Sequence, residues 1–559
     1  MKKFVVFLLS LSLLLPASSF AVSQDDLMMK IDALSKELEK LKQQMEDMKK
    51  QEAKKEERIT QVEEKTEKAG GGGPSWFEIG GDYRFRFDSL SGKVHDYVQY
   101  NPFGSFPVPN YPVPGATTTF LATGMPGYTA KNDTLMLNRF GLNMKARATE
   151  DIQVKARLVM YKVWGHETEA PVQGNFFADR AFGPFDGVVG HVPEDNILRV
   201  DYAYATWSNI GGTPTWFSIG RRPSTGGIPG NLRQNTERTG TAGIPNIMVD
   251  YAFDGLALGF APDIEALPGA YVKLCYGRGF DSGFKTPQNS GIQDTDFLGF
   301  NVVPYDTENL HVELQWQHGF NIFSSPSDGF DQQIDTGVFA GGPPSGSFIT
   351  VHTPVQTNLG GIDWLGGVVM GKIQKLGPGD LNLFLSGAAS MTHPNGNLFS
   401  LPFFSVNGGP IMSAGFGLLN DQGPGQMDGH TGGAIYLGGR YDILSTGTKI
   451  GAEYNHGSKN WIGIVPAGDD LWTSKLGTRG DVYEFYIIQS LNKKPIAKRG
   501  NAFFRVGYQY YHFNYTGSNN WVGAPKKISD LNTMDPSGTQ LLAPLSHAHD
   551  IYATFDVTF

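Results

Sequence analysis

The chain has 559 residues, with 71 glycines, 12% aromatics and only 18% charged residues, below the roughly 25% of an ordinary soluble protein. A formal net charge of -9 offers no basic footprint for nucleic acid. A single cysteine, Cys275, excludes an intrachain disulfide, a CxxC zinc site and a CxxCH haem attachment. No metal or cofactor is expected of this chain itself, so any redox group would belong to a partner.

Residues 1–21 read as a secretory signal. Lys2 and Lys3 supply the basic start, "FVVFLLSLSLLLP" the apolar run, and Ser19-Phe20-Ala21 the small-x-small cleavage site. No later apolar run reaches the roughly 18 residues that a spanning helix needs. An exported chain of this kind is either soluble or membrane-embedded as a closed barrel, because only helices and barrels satisfy their backbone hydrogen bonds within lipid.

Residues 22–69 predict a coiled coil. Ile31, Leu38, Met45 and Ile59 share one heptad position, and Leu27, Leu34, Leu41, Met48 and Val62 the other, with Glu52 and Lys55 as polar interruptions. Such a seam calls for partner chains, and leucine at both core positions leaves two or three strands open. Residues 70–75, "GGGGPS", form a flexible hinge.

From residue 76 to 559 the pattern is of strands. In "WFEIGGDYRFRFDSL", Phe77, Ile79, Tyr83, Phe85 and Phe87 alternate with Glu78, Asp82, Arg84, Arg86 and Asp88. A strand with this alternation has one apolar face and one charged face. Phe140, Leu142, Met144 and Ala146 then oppose Arg139, Asn143, Lys145 and Arg147. After the turn at Thr149-Glu150-Asp151, Ile152, Val154, Ala156 and Leu158 oppose Gln153, Lys155 and Arg157, which completes a hairpin. Further strands are expected near 197–208, 214–222, 246–257, 269–280, 296–304, 309–321, 361–374, 380–391, 432–443, 448–458, 480–490, 500–515 and 547–559. That makes about sixteen, an even count suited to an antiparallel transmembrane β-barrel. Short turns such as "TED" and "KLGPGD" alternate with long Gly-, Pro- and Asn-rich loops, the asymmetry of periplasmic turns and extracellular loops. Trp76, Trp164, Trp216, Trp316, Trp364 and Trp461 fall near strand ends, where interfacial girdles place them.

The last strand, "DIYATFDVTF", stops on Phe559. It resembles the terminal strand of bacterial outer-membrane proteins, and the resemblance implies recognition by the barrel-assembly machinery and an outer-membrane location with the coil in the periplasm. Signal, coil, hinge and barrel together resemble trimeric porins with an N-terminal periplasmic coil, such as porins O and P. The stretch "SIGRRPSTGGIPGNLRQN" also resembles an uncharacterised outer-membrane family of anaerobic, metal-reducing bacteria. The first resemblance implies a non-enzymatic homotrimeric pore for small hydrophilic solutes or ions.

The polar faces of the first four strands carry Arg84, Arg86, Arg139, Lys145, Arg147, Lys155, Arg157 and Arg199, against Glu78, Asp82, Asp88 and Asp201. The third long loop adds Arg221, Arg222, Arg233 and Arg238. Its resemblance to the inward-folded third loop of general porins makes it the candidate constriction, with an anion preference because guanidinium suits carboxylate and phosphate geometry. The plainer reading is that these cations pair with lumenal carboxylates. "YNHGSKNW" resembles the His-x-Ser of outer-membrane phospholipases through His456 and Ser458, but Lys459-Asn460 stands where that family has Asn-Gly. "HAHD" at 547–550 falls at a loop-to-strand rim, where histidines are usually solvated. A reading from another class has the barrel sheathing or anchoring a complex with a multihaem cytochrome.

Overall fold

The computed structural model describes residues 76–559 except 101–105, 110–116, 121, 166–192, 194, 287–291, 324–330, 336–347, 353–356, 404–411, 422–426, 466–468, 492–493, 498–499, 536–537 and 541. The expected signal, coiled coil and hinge, and with them the seam residues Leu27, Ile31, Leu34, Leu38, Leu41, Met45 and Met48, lie outside the described residues.

Sixteen strands form the wall. They are β1 (Phe77–Val94), β2 (Thr129–Arg147), β3 (Ile152–Val163), β4 (Arg199–Trp207), β5 (Thr215–Ser224), β6 (Tyr251–Phe260), β7 (Tyr271–Phe280) and β8 (Thr295–Asp306), followed by β9 (Leu310–Phe323), β10 (Asn358–Leu376), β11 (Gly379–Pro394), β12 (Thr431–Ile443), β13 (Thr448–Gly457), β14 (Gly480–Ser490), β15 (Asn501–Phe513) and β16 (Leu545–Thr558). Each pairs antiparallel with its successor, and β1 pairs with β16 to close the barrel. At the seam the Phe559 amide donates to the Gly81 carbonyl (3.0 Å) and the Gly81 amide to the Phe559 carbonyl (2.8 Å). A Cβ on Gly81 would stand 2.5 Å from the Gly141 carbonyl and 2.8 Å from the Phe559 ring, so closure depends on its missing side chain.

Short turns (148–151, 208–214, 261–270, 307–309, 377–378, 444–447, 491–500) occupy one end and the longer connections the other. One sequence expectation moves. The strand foreseen at 246–257 begins at Tyr251, and the preceding Ile247, Met248 and Val249 are buried in the interior. This segment bonds to another loop instead of a neighbouring wall strand, with Ile464 N donating to Met248 O (3.0 Å) and Asp250 N to Ile464 O (2.9 Å).

The outer face is apolar. Leu365, Val369 and Ile373 along β10, and Tyr483, Phe485 and Ile487 along β14, are all exposed. A continuous band of this kind is not sustainable in water and is built to sit in lipid. No helix among the described residues is long and apolar enough to cross a membrane. At the long-loop end a ladder of rings crosses neighbouring strands, with Tyr454–Tyr483 centroids 5.0 Å apart, Tyr483–Tyr510 6.4 Å and Tyr510–His549 5.0 Å. Amphipathic rings of this kind mark a membrane interface. Trp76, Trp164 and Trp316 are exposed on the barrel, whereas Trp364 and Trp461 are fully buried.

Those two tryptophans belong to a core inside the barrel. Ile247, Met248, Phe297, Leu359, Trp364, Tyr436, Trp461, Ile464 and Trp521 pack together there, and Leu137, Tyr161, Trp472, Val482 and Tyr511 form a second cluster. Trp364 Nε1 donates to Ile462 O (2.8 Å) and Trp461 Nε1 to Leu476 O (2.7 Å), which fixes the buried rings to the loop that covers them. Trp461→Ala should therefore lower stability by about 3–5 kcal/mol. In a heat-dependent gel-mobility assay the variant should unfold well below the native barrel, while Trp76→Ala should leave the transition in place.

Candidate functional site

On an antiparallel pair, residues directly opposite on one face interact, and like charges there repel. The wall register creates two such conflicts on the lumenal face. Arg84 on β1 lies opposite Arg139 on β2, and Glu453 on β13 lies opposite Glu484 on β14. Wall carboxylates meet part of the first, with Asp556 against Arg84 and Asp82 3.8 Å from Arg139, and one inward-folded connection, described at residues 458–465 and 469–479, contributes to both.

Asp469 of that connection pairs with Arg84, approaches Arg139 Nη1 (3.9 Å), and is reached by Arg505 Nη2 from β15 (3.6 Å). Lys475, six residues on, pairs with Glu453 and with Glu484 (2.5 Å). Asp470 accepts from Arg233 Nη1 (2.5 Å) and from Gln509 Nε2 (2.8 Å). Arg233 stands on the short helix 230–234 of the connection 225–250 and also reaches Glu484 (3.1 Å). That helix is held against the far wall by Arg440 donating to Leu232 O (2.5 Å) and Arg505 donating to Arg233 O (2.6 Å). Two connections thus meet across the lumen at a layer of paired charges.

Tyr552 ties the layer together. Its hydroxyl donates to Glu484 (2.7 Å), and the guanidinium groups of Arg86 and Arg505 lie 4.6 Å and 5.5 Å from its ring centroid. The ring lies flat across Gly507 of β15, where a Cβ would come within 2.3 Å of it. Arg86 is completed by Asp88 (2.6 Å) and Asp550 (3.1 Å).

The sequence places Arg84 and Arg86 on the lumenal face, and there they are, but not in water: Arg84 is 3% and Arg86 1% exposed. Most of the other candidates are paired, though not all are buried, and Arg147 is exposed. Arg157 bridges Asp82 (2.6 Å) and Asp201 (3.1 Å), Lys145 and Arg147 share Glu78 (both 3.2 Å), and Arg199 pairs with Asp195 (2.7 Å). Arg238 pairs with Asp306 (2.7 Å), and Arg221 bonds Asp201 O (3.1 Å) and lies 3.9 Å from Asp254. The last two, Lys155 and Arg222, line a cavity at the short-turn end. At Arg84, Arg86 and Arg157 the expected water-lined basic wall is instead a neutralised, largely buried one, since unpaired buried charges would carry a desolvation cost of several kcal/mol each. The third long loop reaches a second loop and the wall through Arg233, which meets Asp470 (2.5 Å) and Glu484 (3.1 Å).

Sequence reasoning passed over Asp469, Asp470 and Lys475, as well as Glu453, Glu484, Arg505 and Tyr552. The acidic doublet and nearby lysine in "GDDLWTSK" are the available signal, because a Gly- and Pro-rich loop seldom carries buried tryptophan beside charge. Elsewhere, Ser458 Oγ accepts from Gly433 N (2.8 Å) and His456 Nδ1 meets Asp481 (2.9 Å), with no hydrogen bond joining the two among the described residues. No group of three histidine, cysteine or carboxylate side chains among the described residues is placed to hold a metal.

A family model described as a protein of unknown function (DUF3373) matches residues 129–559. The chain belongs to this family. The match covers the wall from β2 onward and both connections that meet in the lumen. No curated protein matches the sequence. Among solved structures, the family member described here is similar to OmpT, an outer membrane protein of Vibrio cholerae in trimer form (10% identity, TM-score 0.34, covering 86% of this chain and 99% of that one). It is also similar to OprB of Pseudomonas putida (10%, 0.37, 86% and 94%) and to the outer membrane channel DcaP of Acinetobacter baumannii (9%, 0.34, 86% and 97%).

Burial works against the charge on Asp469, but Arg84, Arg139, Arg86 and Arg505 outweigh it and hold the carboxyl well below its ordinary range. A depressed carboxyl contributes fully above the unfolded value of about 3.9 and is lost only as pH falls through the folded value. The charged layer should accordingly remain intact at pH 5. Asp469→Asn and Arg139→Gln should each lower the thermal midpoint, and the double variant should lose less than the sum. Additive losses in the mobility assay would show that Asp469 does not balance the facing arginines.

Proposed function

We propose that the chain is an outer-membrane channel for small hydrophilic solutes, closed in this state by its own connections 225–250 and 458–479 and anion-preferring when they withdraw. The observation that supports this reading is the charged layer between loop and wall. A barrel serving only as an anchor could be filled with apolar side chains at equal or better stability, since buried ion pairs are often no more stabilising than hydrophobic replacements. Paired charges, by contrast, leave a hydrophilic path when the loop that completes them moves. Withdrawal of Asp469 exposes Arg84, Arg139 and Arg505 to the lumen, and a guanidinium cluster in a narrow pore favours anions.

On this reading the sixteen-strand wall, wide enough for an aqueous channel, sits in the outer membrane with the short turns in the periplasm, joined there by the 22–69 coil. We further propose that the coil assembles a homotrimer and that Phe559 engages the assembly machinery. The inward-folded connections weigh against a protein guest enclosed within the barrel.

Planar-bilayer recording of the purified full-length protein tests the proposal. The native protein should rest closed with brief openings, and Asp469→Asn combined with Asp470→Asn should raise the open fraction at least tenfold, with reversal potentials in a salt gradient displaced toward the anion. A correctly assembled double variant that never conducts would overturn the channel reading. Cation selectivity would overturn the anion preference.

A further inference from the structure

We infer that the short-turn end of the lumen carries a binding site for a small organic carboxylate, centred on Arg222. A cavity of about 340 Å³ lies there, within the size range of small-ligand pockets. Its mouth is at the β4–β5 turn, where Ser208 and Pro214 line it, and its inner wall holds Ser218 and Arg222. Thr239, Thr241 and Ala242 of the inward-folded connection roof it. That roof is anchored, because Lys273 Nζ donates to Thr241 O (2.9 Å) and to Gly243 O.

Two polar groups in this cavity lack partners. Arg222 is 7% exposed, and its guanidinium makes no hydrogen bond or ion pair with any described residue. Ser218 is 2% exposed and its hydroxyl is likewise unmet. No aspartate or glutamate lines the cavity, in contrast to the charged layer deeper in the barrel. Nearby carboxylates are engaged elsewhere: Asp201 with Arg157 (3.1 Å), Asp306 with Arg238 (2.7 Å), and Glu313 with Asn301 Nδ2 (2.7 Å). A buried cation without a counter-charge is costly unless an anion completes it.

The lining selects the kind of anion. The planar fork of Arg222 matches a carboxylate, and the Ser218 hydroxyl in the same cavity lining supplies a further donor. Trp216, Tyr204 and Ala261 provide apolar wall for a hydrocarbon body, which a bare inorganic oxyanion would leave unfilled. The site opens toward the short turns and is complete with the charged layer in place, so it does not depend on conduction.

The test uses the full chain in detergent micelles, with 4-fluorobenzoate as probe, followed by fluorine NMR and calorimetry. Saturable binding is expected, with 4-fluorobenzamide, the neutral isostere, not binding. Arg222→Gln should weaken the benzoate at least tenfold, Arg222→Lys should retain part of the affinity, and Ser218→Ala should cost a few-fold. Should Arg222→Gln fail to assemble by the gel-mobility criterion, Arg222→Lys and Ser218→Ala carry the decision. Absence of saturable binding, equal binding of the amide, or unchanged affinity in the assembled variants would overturn the site. Displacement of the probe by inorganic phosphate at equal concentration would overturn its assignment to organic carboxylates.

Discussion

Arginine facing arginine across one strand pair and glutamate facing glutamate across another are the constraint on which the interior of this barrel depends. Arg84 and Arg139 are opposite by register, as are Glu453 and Glu484; the wall itself offers Asp556 to Arg84 and Asp82 to Arg139 (3.8 Å), and a loop supplies the rest of the balance. The connection 458–479 brings Asp469 to the first and Lys475 to the second. Its charge order is thus complementary to two like-charged patches, and it seats in one orientation only. Repulsion built into the wall becomes the address that positions the loop.

The remaining architecture follows from seating that loop. Once Asp469 and Lys475 are drawn in, Trp461 and Trp472 are carried with them and must find apolar surroundings. The lumenal face supplies these toward the long-loop end, where inward positions change from charged to Leu137, Tyr161, Trp364 and Tyr511. The interior is therefore layered, apolar toward the long loops, charged in the middle and cavity-bearing at the short turns. Glycines on the lumenal face serve the middle layer by letting rings lie flat, as Gly507 does for Tyr552. This is one reason the chain can be so rich in glycine without losing its sheet.

Much of the wall was legible because strand alternation is a local signal. Phe85 and Arg86 could be assigned to opposite faces from adjacency alone, and the strands from 358 onward fall within a few residues of expectation. The strand start at Tyr251 was misjudged because Ile247, Met248 and Val249 look strand-like and answer to a distant partner, Ile464. The same limit applies to the site. Arg84 and Arg139 could each be placed on the lumenal face, yet nothing local says that they stand opposite one another or that a carboxylate 385 residues away from Arg84 separates them. Composition could identify an excess of cations on the first strands, but register and loop path decide whether those cations meet water. Trp364 illustrates the converse, since a tryptophan near a strand end is interfacial or interior according to parity against the final register.

Hydrogen–deuterium exchange of the purified, detergent-solubilised native chain addresses the charged closure most directly, peptide by peptide. Amides of residues 469–479 should exchange as slowly as those of β14 and far more slowly than those of the short turns. Exchange of 469–479 at the rate of an open loop, with β14 still protected, would contradict a lumen closed by this connection.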